Sequence, residues 1–144
     1  LGATAAGAST EILDALSGFG DHIGRAFALR DDYLGVWGDP VVTGKPAGDD
    51  LVEGKATVLL SLAADLLDEH GRAVLHGLGT GEFSAEDVRE LTQVLQEAGV
   101  DAAVERQIDA SVRAAVRVLT EAPVSEEGKA GLIKAAAAVA WRSA

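Results

Sequence analysis

Two adjacent aspartates, Asp31 and Asp32, stand ahead of two lysines, Lys45 and Lys55, in LRDDYLGVWGDPVVTGKPAGDDLVEGKAT, residues 29–57. The stretch holds six acidic residues, three Lys or Arg residues, five glycines and two prolines. Oxygen donors without His or Cys among them suit a hard cation. Mg²⁺ takes one or two carboxylates and fills its shell with water and phosphate oxygens. Lys45 lies in TGKPAG and Lys55 just ahead of an apolar segment; each is a point charge suited to phosphate. A helix beginning near Ala56 would add its positive end. Carboxylates for a cation with lysines beside them are what a diphosphate needs. Each feature alone has a plainer reading, since adjacent aspartates are usually solvated and GKPAGDD reads as a turn. The order and spacing together make the combination specific.

These residues must be carried by a helix and the loop after it. Ile12, Leu16, Phe19, Ile23 and Phe27 form an apolar stripe through STEILDALSGFGDHIGRAFALRDDYLGVW, with Ser9 or Thr10 as the cap. Asp31 comes four residues after Phe27, which puts it on that stripe, and Asp32 borders the same side. Two carboxylates ~6 Å apart repel by about 3 kcal/mol at an effective dielectric of ~20. The negative end of the helix dipole worsens this, so a positive partner is called for. Gly18, Gly20 and Gly24 each cost about 1 kcal/mol relative to alanine inside a helix, which suggests another helix backbone packed very close, with a locally weak helix as the alternative. Arg30 is read as pairing with an acidic neighbour, and Gly38-Asp39-Pro40 as the stop.

The rest of the chain reads as helix and turn. A loop runs to about Gly54. ATVLLSLAADLLDEH follows, apolar nearly all round at its start and so expected to be buried. GRAVLHGLGTGEFS is a glycine-rich connection with room for a helical turn inside it. Ser84 and Asp87 have capping-box spacing, with Val88, Leu91, Leu95 and Ala98 as the apolar stripe and Gly99 as the C-cap. Val104, Ile108, Val112, Ala115 and Leu119 make one face of the next helix, which Pro123 ends. Ser125 opens the last, alanine-rich helix. Strand-like alternation is absent, so the fold class is all-α.

Composition narrows the function. A net charge of −11 argues against nucleic acid as a partner. The absence of cysteine excludes disulfides and thiolate zinc sites. His22, His70 and His76 lack ligand spacing, and Trp37 and Trp141 read as packing residues. No apolar run reaches the ~18 residues of a membrane span, so no integral membrane segment is expected. LGATAAGAS reads as the tail of a helix already under way, which places the polypeptide's start upstream.

LRDDYLGVWGDPVVTGKPAGDDLVEGKATVLL, with the preceding FGDHIGRAFALRDD, resembles the second aspartate-rich region of the trans-isoprenyl diphosphate synthases, the polyprenyl synthetase family. The similarity is sharp over residues 18–62, and the whole chain resembles the C-terminal half of such an enzyme. The resemblance implies the C-terminal part of an isoprenoid-synthase-type helical bundle, with residues 1–144 a segment of one domain whose N-terminal half is absent. It implies a prenyltransferase of the polyprenyl or geranylgeranyl type, condensing isopentenyl diphosphate with an allylic diphosphate with Mg²⁺ as cofactor. Asp31 and Asp32 correspond to the motif's first two aspartates, Asp31 as a direct metal ligand and Asp32 acting mainly through metal-bound water. Lys45 and Lys55 correspond to the lysines on the allylic diphosphate. A cytoplasmic homodimer, or association with an N-terminal half chain, is the implied setting.

The chain departs from the family pattern at Gly35, commonly Asp, at Ala28, commonly Gln, and at Val52 and Ala56 in VEGKAT, often REGKRT. The first aspartate motif is not in this chain. Taken alone, the chain would therefore expose the face of Ile23, Phe27 and Asp31, one wall of the family's cavity. A second reading is a non-catalytic partner or regulatory subunit of the same fold. A third is an acidic helical interaction domain with solvated aspartates.

Overall fold

The computed structural model describes residues 2–44, 47–52, 57–77 and 84–142. Every regular element among them is an α-helix: α1 (Gly2–Ala5), α2 (Thr10–Trp37), α3 (Pro40–Thr43), α4 (Asp49–Val52), α5 (Thr57–Leu66), α6 (Glu69–Gly77), α7 (Ala85–Glu97), α8 (Val100–Glu121) and α9 (Glu126–Ala140). The all-α expectation therefore holds. The chain divides into two compact units, Leu1–Ala28 with Gln107–Arg142, and Leu29–Arg106.

In the first unit, the start of α2 is capped as expected: the Ser9 hydroxyl accepts the Ile12 amide at 3.4 Å. Phe19, Ala115, Leu119 and Ala136 form the buried cluster, with Leu16, Ile23 and Leu132 against it. Alanines at two of these positions let the helices approach closely around one aromatic ring. The Ser125 hydroxyl accepts the Gly128 amide and caps α9. Near the other end of α9 the Arg142 guanidinium lies 4.4 Å from the centre of the Phe27 ring. Trp141, expected to be a packing residue, is 49% exposed.

The buried face of α2 parts from the stripe of Ile23, Phe27 and Asp31 after Phe19. A step of four residues advances about 40° around a helix, so three such steps from Phe19 carry Asp31 about 120° away. The buried face follows steps of seven and three instead, through Phe19, Ala26, Leu29 and Val36. Phe27 is 44% exposed, Asp31 is exposed and Ile23 half-buried, the exposure of this face expected of the chain taken alone. The glycines of α2 make no close helix contact with the described residues. A Cβ on Gly18 would meet Val118 Cγ1 at 3.6 Å, an ordinary contact, and at Gly20 and Gly24 it would meet nothing within 4 Å. No described residue makes the close approach that three glycines suggested.

In the second unit, α3 and α4 each form a single turn within what the sequence suggested was irregular loop. Asp39 caps α3 by accepting the Val41 amide at 2.9 Å, with Pro40 at the first helical position, where a missing N–H costs nothing. Helix α5 buries one face only. Leu59 and Ala63 are buried, as is Leu67 just past its end, whereas Val58 and Leu66 are 43% and 45% exposed, so its apolar start is not wholly interior.

The helix also stops earlier than expected, at Leu66, because Asp68 caps a new one. Its carboxylate accepts the Gly71 amide at 2.8 Å. GRAVLHG thus belongs to α6, a longer helix than the single turn expected within that connection. Gly71 leaves room for Leu67, whose Cδ2 would lie 2.7 Å from an added Cβ. The capping box at Ser84 and Asp87 is present in both directions. Leu91 and Leu95 of α7 are buried, as are Val100, Ala103 and Val104 of α8. Gly99 joins these helices at φ +74°, the left-handed conformation that glycine adopts without steric cost.

Candidate active site

Asp31 and Asp32 sit in the last two turns of α2, where the chain is about to leave the helix. Asp31 is exposed and Asp32 half-buried. The residue before them has the opposite character. Arg30 is 5% exposed, and both its terminal nitrogens donate to the two Glu105 oxygens, each at 2.8 Å. The pairing expected of Arg30 is there, and its partner lies on α8, distant in sequence. The guanidinium also lies 5.0 Å from the centre of the Tyr33 ring. Tyr33 in turn packs on Trp37 with ring centres 5.0 Å apart. Burial pushes the Tyr33 phenol above its ordinary value, Glu105 and Asp101 add to the shift, and Arg30 opposes it. Tyr33 therefore remains a neutral hydrogen-bond donor at physiological pH.

The helix then ends sharply. Gly38 is buried, and a Cβ there would collide with the Leu34 carbonyl oxygen and the Thr43 side chain. The chain returns through α3, whose C-cap Gly44 takes φ 72°. Gly48 then donates its amide to the Gly35 carbonyl at 3.0 Å. That bond ties the second half of the connection back onto the motif helix, one turn beyond Asp31. Gly48 stands at φ +81°, where a Cβ would collide with Val88 Cγ1 and come within 3.5 Å of Thr92 Oγ1. Leu51 follows, 1% exposed, as the apolar anchor of α4.

Lys45 and Lys55 lie outside the described residues. Asp31 and Asp32 are brought together by adjacency in α2 alone. No group of three or more His, Cys, Asp or Glu side chains among the described residues could hold a metal ion, and the three histidines form no such group. Two carboxylates next to each other match the donor set of Mg²⁺, which draws the rest of its shell from water and phosphate. They do not match an ion that demands an all-protein cage. The feature that sequence reasoning missed is Glu105. It sits beside the buried Val104 on α8, and no local pattern marks it as the partner of a residue on another helix.

No helix among the described residues is long and apolar enough to cross a membrane. Residues 1–97 match the polyprenyl synthetase family. The chain is 37% identical over 124 residues to the geranylgeranyl diphosphate synthase of Mycobacterium tuberculosis, an alignment covering 85% of this chain and 35% of that protein. It is 36% identical over 130 residues to the geranylfarnesyl diphosphate synthase of Aeropyrum pernix, covering 90% of this chain and 40% of that one. Its fold matches a crystal structure of the geranylgeranyl pyrophosphate synthase of Corynebacterium glutamicum, complexed with isoprenyl diphosphate and magnesium. The TM-score is 0.88 at 39% identity, over 98% of this chain and 40% of that one. The chain thus spans between 35% and 40% of the length of these relatives. With a family match over residues 1–97 and this fold over nearly its whole length, the chain belongs to the polyprenyl synthetase family.

Proposed function

We propose that this chain is the C-terminal segment of a trans-prenyl diphosphate synthase, which joins isopentenyl diphosphate to an allylic diphosphate. The observation that carries the reading is the Asp31-Asp32 pair. Two charged residues stand at the end of a well-packed helix, followed by a connection held to that helix by the Gly48–Gly35 bond. The names of the relatives support the reaction class. In the reaction the allylic C–O bond breaks, and its electron pair leaves with the diphosphate. The double bond of isopentenyl diphosphate attacks the resulting carbocation, and loss of a proton restores a double bond.

Asp31 and Asp32 would hold magnesium, which when bound supplies positive charge to the departing diphosphate. Lys45 and Lys55 bind the same diphosphate and stabilise the charge that grows on it as the bond breaks. Asp32, half-buried, orients water and Asp31 presents its carboxylate directly. The family resemblance also supports a cytoplasmic homodimer.

The test is incorporation of labelled isopentenyl diphosphate by the full-length protein with allylic diphosphates of increasing length. The synthase reading expects an elongated product from the protein alone. Product only after addition of a partner chain would favour the regulatory-subunit reading, and no product under either condition would reject both.

A further inference from the structure

The reaction assigned above makes no use of Arg30 or Glu105, yet Arg30 directly precedes the two aspartates and is 5% exposed. Burying a guanidinium is unfavourable, and its pairing with a carboxylate often stabilises no more than an apolar pair of similar volume. Stability alone therefore does not account for an arginine at this position. A two-pronged Arg–carboxylate contact does supply direction. Two parallel bonds of 2.8 Å fix the rotation and the slide of one helix on the other at that residue. The Tyr33 ring, 5.0 Å from the guanidinium, holds a further side of the planar group. Rotation matters here because neighbouring residues on a helix differ by about 100° and ~1.5 Å of rise. A small turn of α2 at Arg30 re-aims both carboxylates that follow it.

We propose that Arg30 and Glu105 are positioning residues for Asp31 and Asp32: their paired contact sets the angle at which α2 presents the two carboxylates to a divalent cation and its diphosphate. The inference rests on the reading of Asp31 and Asp32 as ligands given above. Partners that orient metal ligands in this way are worth about 10- to 100-fold in metal affinity.

The experiment uses the full-length protein, Mn²⁺ as a spin-visible stand-in for magnesium, and inorganic diphosphate. Bound Mn²⁺ is counted by electron paramagnetic resonance, and urea unfolding is recorded in parallel. The informative variant is Arg30→Met with Glu105→Gln, which removes both charges while keeping side-chain length. The expected result is an unfolding midpoint close to wild type with Mn²⁺ binding about tenfold weaker. Arg30→Lys, which keeps the charge without the fork, does not restore binding. Wild-type Mn²⁺ affinity in the double variant overturns the proposal. Should the double variant not fold, Glu105→Gln alone is read the same way. Loss of binding in Asp31→Ala with none in these variants rejects the positioning role while keeping the ligands. Equal binding by wild type and Asp31→Ala rejects the ligand assignment and the positioning role together.

Discussion

Replacing Gly48 with alanine introduces one methyl group where the structure leaves no room for it in two separate respects. The backbone stands at φ +81°, a conformation that costs an L-residue about 1–2 kcal/mol. The new Cβ would also collide with a Val88 methyl on α7, and overpacking of that kind costs about 1–3 kcal/mol. Together the two effects give a loss of about 3 kcal/mol. A large share of it falls on the segment tied to Gly35 by the Gly48 amide. Urea unfolding of the full-length protein measures the total, and amide exchange at Gly48 measures the local part. Val88→Ala in the same chain should recover the steric share, about 1–2 kcal/mol, and leave the backbone share. A Gly48→Ala protein within about 0.5 kcal/mol of wild type, the range of an inert surface change, would refute the reasoning. So would a double variant that recovered nothing.

Further expectations can be checked separately. Leu119→Ala empties a fully buried position in the Phe19 cluster and should cost about 3 kcal/mol in denaturant unfolding. The Asp87 carboxyl is held below its ordinary value by hydrogen bonds from Ser84, so its NMR titration midpoint should lie below that of a free aspartate and rise in Ser84→Ala. Because the folded value is depressed, this capping contribution is present above about pH 4, the unfolded carboxyl range. It is lost as pH falls through the folded value. Lys45→Ala and Lys55→Ala should each weaken allylic-diphosphate binding and lower turnover in the full-length protein, while urea unfolding stays near wild type.

The sequence made local features legible where a few neighbouring residues decide the outcome. Ser84 and Asp87 close their capping box within one turn. Val104, Ile108, Val112, Ala115 and Leu119 are all buried on α8, because steps of four, four, three and four keep them on one face. Longer-range features were not legible. The buried face of α2 runs through Ala26, Leu29 and Val36, which repeated steps of four from Phe19 do not reach, while the exposure of Asp31 is what the chain taken alone predicts. Gly20 and Gly24 looked like a close helix contact, but the described residues bring nothing to them. The break between α5 and α6 depends on Asp68 acting as a cap. Aspartate in DLLDEHG serves equally as a polar surface residue of a continuous helix, so the pattern alone did not reveal it. At the site, the aspartate pair was plain from adjacency and Arg30 was read as paired. Glu105 could not be found, because it lies far along the chain and only packing brings it to Arg30.

Asp31 is proposed to bring a divalent cation to a diphosphate leaving group. The most direct measurement is prenyl transfer by full-length wild type and Asp31→Asn across a magnesium titration, with urea unfolding to show that both are folded. Wild type should give magnesium-dependent product, and Asp31→Asn should lose about a hundredfold or more in turnover that added magnesium does not rescue. Equal turnover with the same magnesium dependence in both proteins would contradict it.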